Sequence, residues 1–128
     1  MACSDNTIRA GLTPKFKDLE TLCDCLTYST KSAKNCLVSS TLLDFSTRTF
    51  KTKAEEFCVD QVSVGEDKEL QSYTLAKKDS GSIIIVIDGQ AKANEFRLHP
   101  GFVFFLPALT DLKITGIQKP FSLYRAYF

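Results

Sequence analysis

The sequence predicts a mainly β fold: an antiparallel jelly-roll barrel with one short N-terminal helix, in a single domain of 128 residues. Three observations predict it. Apolar and polar residues alternate in about seven or eight short segments after residue 36, as in half-buried strands. Turn residues separate these segments at intervals of roughly 8–12 residues. No helical pattern lies between them, so crossover connections for a parallel sheet are missing.

The helix is predicted over residues 18–26, within an N-terminal arm of residues 1–36. Apolar residues recur at helical spacing there; they are Leu19, Leu22, Cys23 and Leu26. Asp18 suits the N-cap, and Pro14 suits the entry to the helix. We expect the helix to pack on the outside of the barrel. The polar stretch around residues 29–35 predicts a loop.

The barrel is predicted to occupy residues 37–128. The alternation changes phase after Val59, which predicts a β-bulge near Asp60. The apolar run at residues 83–87 predicts a strand that is buried on both faces. Asp88-Gly89 directly behind it predicts a tight hairpin.

Two further strands are expected near the C-terminus. The segment 102–106 should end at Pro107, because proline has no N–H to donate to a ladder. Leu112 and Ile114 alternate in the next segment, and residues 121–128 are expected to form a separate closing strand.

Composition and charge exclude several classes of function. The chain carries 16 basic and 15 acidic residues, so a surface for nucleic acid or anionic membrane has little support. No apolar stretch approaches the ~20 residues of a membrane span, and the N-terminus has no signal-peptide pattern. We therefore expect no nucleic-acid partner, no membrane partner and a cytoplasmic location.

Cysteine and histidine usage predicts no metal site in this chain. The five cysteines show no CxxC spacing, which favours free thiols in a reducing compartment and small buried side chains. His99 is the only histidine, and we interpret it as structural or exposed. No G-x-S-x-G nucleophile motif is present.

The N-terminal arm carries the pattern NxxRAGxTPK at residues 6–15. This pattern resembles the active-site arginine segment of zinc-dependent mannose-6-phosphate isomerases, the type I phosphomannose isomerases of the cupin superfamily. The stretches IIIVIDGQAKAN, LHPGFVFFLPA and FSLYRAYF are similar to the C-terminal cupin-like barrel of these enzymes. The resemblance covers nearly the whole chain and implies that it corresponds to the C-terminal part of such an isomerase.

The resemblance implies an aldose–ketose isomerase that interconverts mannose 6-phosphate and fructose 6-phosphate with zinc. It implies a catalytic role for Arg9 and a substrate-binding role for Lys15, near the sugar phosphate. The family's zinc ligands, two histidines, a glutamate and a glutamine, all precede the arginine segment. We therefore expect the chain to bind no zinc and to be inactive unless a catalytic half is supplied to complete the sugar-phosphate site.

The residues leave a second interpretation open, that of a non-catalytic cupin-like binding or structural module. On side-chain chemistry alone, an exposed terminal position suits Arg9 better than a catalytic role, and a solvated helix entry suits Lys15 as well as phosphate binding. Gly11 permits either a close backbone approach or a plain turn. Zinc ligands in polypeptide preceding this segment would favour the enzyme.

Overall fold

The computed structural model describes residues 7–51, 56–66 and 70–128. Its contacts divide the chain into two compact units, with the boundary between Leu37 and Val38. The first unit contains helices α1 (Leu19–Cys25) and α2 (Ala33–Cys36). Within the described ranges the second unit has eight strands: β1 (Ser40–Leu42), β2 (Thr47–Lys51), β3 (Cys58–Val64), β4 (Ser72–Leu75), β5 (Ser82–Ala93), β6 (Phe96–Leu98), β7 (Val103–Leu106) and β8 (Leu112–Tyr127).

The predicted N-cap of α1 is confirmed. Oδ1 of Asp18 accepts the backbone N–H of Thr21 at 3.0 Å, and the Thr21 hydroxyl donates to Oδ2 at 2.7 Å. None of the residues of α1 is buried. The prediction of a plain loop at residues 29–35 is wrong, because α2 forms one turn there, in which the N–H of Asn35 reaches the Ser32 carbonyl. Neither helix is long and apolar enough to cross a bilayer.

The second unit confirms the predicted antiparallel β architecture, but the path of paired strands among the described residues is open, running from β1 to β6 without closing; we keep the name barrel for this unit. The strands are hydrogen-bonded in the order β1-β2-β3-β8-β5-β6, with β4 joined to β8 and β7 joined to β5. The two long strands β5 and β8 therefore belong to two regions of sheet. One is the six-stranded region β1-β2-β3-β8-β5-β7, and the other is the four-stranded region β4-β8-β5-β6.

Both regions contribute to one apolar core. Its buried members are Val62, Val64, Leu75, Ile84, Val86, Ala91, Ala93, Leu98, Leu106, Leu112, Ile114, Phe121 and Leu123. Every described strand except β1 and β2 supplies at least one of them, and together they fill the space between the two regions. The fold is thus held mainly by apolar burial between strands that are distant in sequence.

The prediction that residues 83–87 are buried on both faces is wrong. Ile84 and Val86 are fully buried, whereas the side chains of Ile83 and Ile87 expose 58% and 49% of their area. The core covers only one side of this antiparallel sheet, so alternate side chains of an apolar run point outward.

The predicted hairpin at Asp88-Gly89 is also wrong. β5 continues through both residues, and the chain reverses at Asn94-Glu95. The pairing of β5 with β8 shifts register on both sides of Asp88, and Gly89 has a φ of +76°. A Cβ at Gly89 would collide with the carbonyl oxygen of Pro120. The glycine therefore serves a bulge inside a long strand.

The predicted bulge near Asp60 is absent from β3. This strand pairs with β2 and with β8 without any shift of register. Asp60, Val62 and Val64 are all buried on the inner face. The phase change in the sequence arises because an aspartate occupies an inward position.

The C-terminal strand also differs from the prediction. β7 ends at Leu106, as Pro107 predicts. The segments predicted separately around Ile114 and over residues 121–128 are one continuous strand, β8, which passes through Pro120. The two parts of β8 pair with different neighbours, β4 and β3.

Neighbouring isoleucines on β5 provide a matched test of the fold. Ile84→Ala should lower the free energy of unfolding by about 2–5 kcal/mol, because it opens a cavity in a packed core. Ile83→Ala removes the same atoms from an exposed position and should cost under about 1 kcal/mol. Urea denaturation of both variants measures the difference, and equal losses would contradict the assigned faces.

Candidate functional site

The arginine segment lies next to the first turn of α1. The carbonyl oxygen of Arg9 accepts the backbone N–H of Asp18 at 2.9 Å. Hydrogen bonds from the Thr21 side chain and backbone lower the pKa of Asp18. This link holds the backbone of Arg9 beside a capped helix start, while its side chain stays exposed. In the parts of the chain that the structure describes, the Arg9 guanidinium makes no ion pair.

Lys15, the second predicted site residue, lies on the same short loop. Its backbone N–H donates to Oγ1 of Thr13 at 3.2 Å, and its side chain is exposed. Among the described residues, no atom lies within 4 Å of a Cβ placed at Gly11, so these residues make no close backbone approach to this glycine. Both cationic residues thus belong to one exposed segment, and their predicted roles remain predictions.

A second polar cluster lies inside the barrel. Asp60, Ser82 and Arg125 are almost fully buried at 2%, 1% and 1% exposure. Nε of Arg125 donates to the hydroxyl of Ser82 at 2.9 Å, and Nη1 donates to the carbonyl of Ala76. Nη2 of Arg125 is buried without a partner among the described residues. We call Asp60, Lys78, Ser82, Arg125 and Tyr127 the interior polar cluster.

Asp60 is the acceptor of this cluster. It receives the hydroxyl of Tyr127 at 3.1 Å and forms an ion pair with Nζ of Lys78 at 2.9 Å. The same ammonium lies 3.9 Å from the centre of the Tyr127 ring. A buried carboxylate needs such partners, because an unpaired charge in this position is strongly unfavourable.

Lys78 and Arg125 keep their positive charges near neutral pH. Burial lowers the pKa of Lys78, but hydrogen bonds and charges from Tyr127 and Asp60 outweigh it, and the net pKa is raised. Burial also lowers the pKa of Arg125, although a guanidinium stays protonated in proteins. These two cations therefore supply fixed charges and structural hydrogen bonds, and neither is suited to general acid–base chemistry near pH 7.

A further hydrogen-bond network connects Asp44, Thr47 and Tyr73. The Tyr73 hydroxyl donates to Oδ2 of Asp44 at 2.9 Å and also contacts the Thr47 hydroxyl. Burial raises the pKa of Tyr73 to about 12, assisted by Asp44. Burial also tends to raise the pKa of Asp44, but bonds from Ser46, Tyr73 and Thr47 make the net pKa lower than usual.

The remaining candidate residues do not assemble a site. The His99 ring is exposed and packs edge-on against Phe102 at 5.4 Å between centroids. Described residues contain no group of three or more His, Cys, Asp or Glu side chains that could hold a metal ion. The cysteines at positions 23, 25 and 36 are exposed free thiols, so their interpretation as buried apolar residues is wrong. Cys58 is half-buried, and Cys3 lies outside the described residues.

The interior polar cluster was not predicted from the sequence. Arg125 lies between Leu123 and Tyr127 on the inner face of β8. The alternation in FSLYRAYF places these three residues on one face of the strand. An arginine at an inward-facing position was therefore the sequence feature that could have predicted the cluster. Lys78, which lies outside the strands, carried no comparable signal.

The second unit also has a partly open apolar pocket of about 330 Å³. It lies between the β5–β6 turn, β7 and the loop before β8. Its lining is largely aromatic and aliphatic, with three polar residues, Asn94, Thr110 and Asp111. A pocket of this size and composition can hold a small, mainly apolar molecule.

Comparisons with known proteins find similarity to mannose-6-phosphate isomerases over nearly the whole chain. No family model matches it. It is 35% identical to the mannose-6-phosphate isomerase of Schizosaccharomyces pombe over 99% of its length, and 37% identical to that of Rattus norvegicus over 98%. The structure of mannose 6-phosphate isomerase from Salmonella typhimurium, bound to fructose 6-phosphate and zinc, matches 99% of the chain with a TM-score of 0.74 and 27% identity.

The chain is homologous to a C-terminal part of the mannose-6-phosphate isomerases. It covers 32% and 31% of the fission yeast and rat isomerases and 32% of the Salmonella chain. The chain therefore spans about a third of the length of the isomerases it matches. The predicted family resemblance of the chain is confirmed, and the roles implied for residues 6–15 stay predictions.

The Tyr73 network should make the barrel sensitive to alkali. An unfolded tyrosine ionises near pH 10, and the folded pKa of Tyr73 is about 12. The contribution of Tyr73 to the free energy of unfolding is therefore fully present below about pH 10, and it is lost as the pH rises towards 12. Urea denaturation across this range should show a shallower decline for Tyr73→Phe than for the unmodified chain.

Tyr124→Phe is the matched control for this prediction, because Tyr124 is a half-buried tyrosine on the outer side of β8. This substitution leaves Tyr73, Asp44 and Thr47 in place, so the decline assigned to Tyr73 should persist. A phenolate absorbance titration should lose its step near pH 12 in Tyr73→Phe and keep it in Tyr124→Phe. If that step persists in Tyr73→Phe, the assignment of the raised pKa to Tyr73 is wrong.

Proposed function

We propose that this chain provides the C-terminal domain of a mannose-6-phosphate isomerase, an enzyme that interconverts mannose 6-phosphate and fructose 6-phosphate. The observation that carries the proposal is the homology over 98–99% of the chain to isomerases from fission yeast and rat. The match to the Salmonella enzyme bound to fructose 6-phosphate supports a sugar phosphate as the substrate. The pattern at residues 6–15 supports a contribution to the active site.

In this proposal Arg9 stabilises charge on the substrate. Aldose–ketose isomerisation moves a proton between C1 and C2 through an enediol, and negative charge develops on oxygen. A guanidinium that makes no ion pair with the described residues is suited to bind that oxygen. Because arginine stays protonated, Arg9 cannot accept the proton, and the base must come from another residue.

Lys15 is proposed to bind the phosphate of the substrate. Its exposed ammonium is a mobile point charge. It lies six positions from Arg9 on the same loop, so a sugar phosphate could meet Arg9 at its reacting end and Lys15 at its phosphate end. The bound fructose 6-phosphate of the Salmonella enzyme shows that a relative accepts a ligand with this chemistry.

The described residues do not fit a zinc site. Three or four nearby ligands are required, and no such group exists in the described ranges. We propose that the zinc ligands of the complete enzyme belong to polypeptide other than these 128 residues. The proposed roles of Arg9 and Lys15 involve only the substrate.

We also propose a reducing, cytosolic compartment. Four cysteines are free thiols in the structure, three of them exposed. Exposed thiols that remain unpaired are typical of a reducing environment. Thiol titration of freshly isolated protein measures their redox state directly.

A non-catalytic binding role is the second candidate, and the partly open apolar pocket of about 330 Å³ favours it. Its lining differs from the charged donors that a sugar phosphate requires. A ligand in this pocket would therefore be chemically distinct from the isomerase substrate.

The role of Arg9 can be tested in a chimera that carries this chain in place of the matching third of the fission yeast isomerase. Arg9→Ala should lower kcat/KM by about 10²–10³, the usual effect of removing one donor to a developing oxyanion. Unfolding free energy should change by less than about 0.5 kcal/mol, since the side chain is exposed. Lys17→Ala, a nearby exposed lysine, is the control and should keep full activity.

Arg9→Lys distinguishes charge from geometry and should restore activity only in part, because an ammonium lacks the planar fork of the guanidinium. Undiminished turnover in Arg9→Ala would contradict the proposed role.

The 128-residue chain by itself should show no isomerase activity and should hold no stoichiometric zinc. Removing a group of cooperating residues leaves mainly binding, and the described residues lack a ligand set. A coupled assay with added zinc and elemental analysis of the dialysed chain measure these two properties. Zinc-stimulated turnover, or about one retained zinc per chain, would contradict the prediction.

A further inference from the structure

The outer face of the six-stranded region is unusually apolar. Strand register aligns two rows of outward residues across all six strands. One row is Ser40, Phe50, Val59, Ala126, Ile83 and Phe105, and the other is Leu42, Arg48, Gln61, Tyr124, Ile85 and Val103. We call these twelve residues the outer face. Only one of them, Arg48, is charged.

The apolar part of the outer face is also extensive. Leu42, Ile83, Val103 and Phe105 expose 63%, 58%, 55% and 66% of their area, and Ile85 exposes 37%. Ile83, Ile85, Val103 and Phe105 adjoin one another on β5 and β7, and together they present on the order of 400 Å², within the range of the largest apolar patch on a typical monomer.

The other region of the same barrel shows the ordinary pattern. The corresponding outward residues of β4, β8, β5 and β6 are Ser72, Thr74, Lys113, Thr115, Lys92 and Arg97. All six are polar and three are cationic. One outer surface of the barrel is thus suited to water, whereas the other is suited to burial.

We propose that the outer face packs against the zinc-binding remainder of a mannose-6-phosphate isomerase, with an acidic residue of that remainder opposite Arg48. This inference rests on the proposed function. The chain matches only 31–32% of the isomerases it resembles, yet nearly all of its own length is matched. In those relatives about two-thirds of the polypeptide remains to cover such a face.

Arg48 argues against a second copy of this chain as the occupant. A two-fold contact would place the same face on both sides. No aspartate or glutamate is present among the twelve residues, so Arg48 of each copy would be buried without a carboxylate from the opposite outer face. An unpaired buried charge is strongly unfavourable, whereas a different polypeptide can supply the missing acid.

Thiol protection tests the proposal in the chimera with the fission yeast isomerase. Ile85→Cys and Val103→Cys place reporters on the outer face, and Lys113→Cys places a control on the polar side of β8. Maleimide labelling is followed at each site by peptide mass spectrometry. Labelling at positions 85 and 103 should be at least about tenfold slower in the chimera than in the isolated chain, and labelling at 113 should be unchanged.

Three outcomes would overturn the proposal. Equal labelling of positions 85 and 103 in both proteins would show that the face stays open. Protection in the isolated chain that grows with concentration would assign the face to a second copy. Protection in the isolated chain at every concentration would assign it to residues 1–37 of the same chain.

Two measurements keep this test independent of the proposed function. Isomerase activity of each chimera is assayed beside labelling. A chimera that is protected but inactive counts against the proposed function alone. A chimera that is active but unprotected counts against the proposed interface alone. If a substituted chimera does not fold, cysteines at the aligned positions of the natural fission yeast enzyme provide the readout, and fast labelling there overturns the proposal.

Discussion

The pairing of β5 with β8 is the constraint on which the barrel depends. These strands pair from Ser82 with Tyr127 to Ala93 with Ile114, and the register shifts where β5 passes Asp88. A single pair of strands therefore belongs to both regions of sheet. All other described strands pair with one of these two, directly or through β3. The core forms between the two regions, so its buried residues come from both halves of each long strand.

In the six-stranded region, several polar and charged residues face the core, and several large apolar residues face outward. Thr49, Asp60 and Arg125 lie in register on the inner side, while large apolar residues lie outside. The inner charges are tolerated because Lys78 and Tyr127 meet Asp60, and Ser82 meets Arg125. The outer apolar residues have no such compensation in water. A barrel with this distribution is better suited to a larger assembly than to isolation, which agrees with homologues three times its length.

The two units carry different parts of the functional argument. The first unit holds Arg9 and Lys15 on a loop that is connected to a capped helix start, and the family resemblance is strongest there. The second unit confirms the fold and supplies structural charges whose resolved pKa changes keep them fixed near neutrality. We propose that Arg9 and Lys15 act on the substrate together with polypeptide outside this chain, and that the barrel docks on that polypeptide.

The sequence by itself determined the β class, the Asp18 cap and the family, because these depend on local spacing or on a contiguous motif. The tertiary structure decided which apolar residues are buried. Gly89 serves a bulge because it meets the carbonyl of Pro120, far along the chain. Asp60 faces inward because Lys78 and Tyr127 are there to bind it. Such partners are brought together only by folding, and alternation along a single strand does not reveal them.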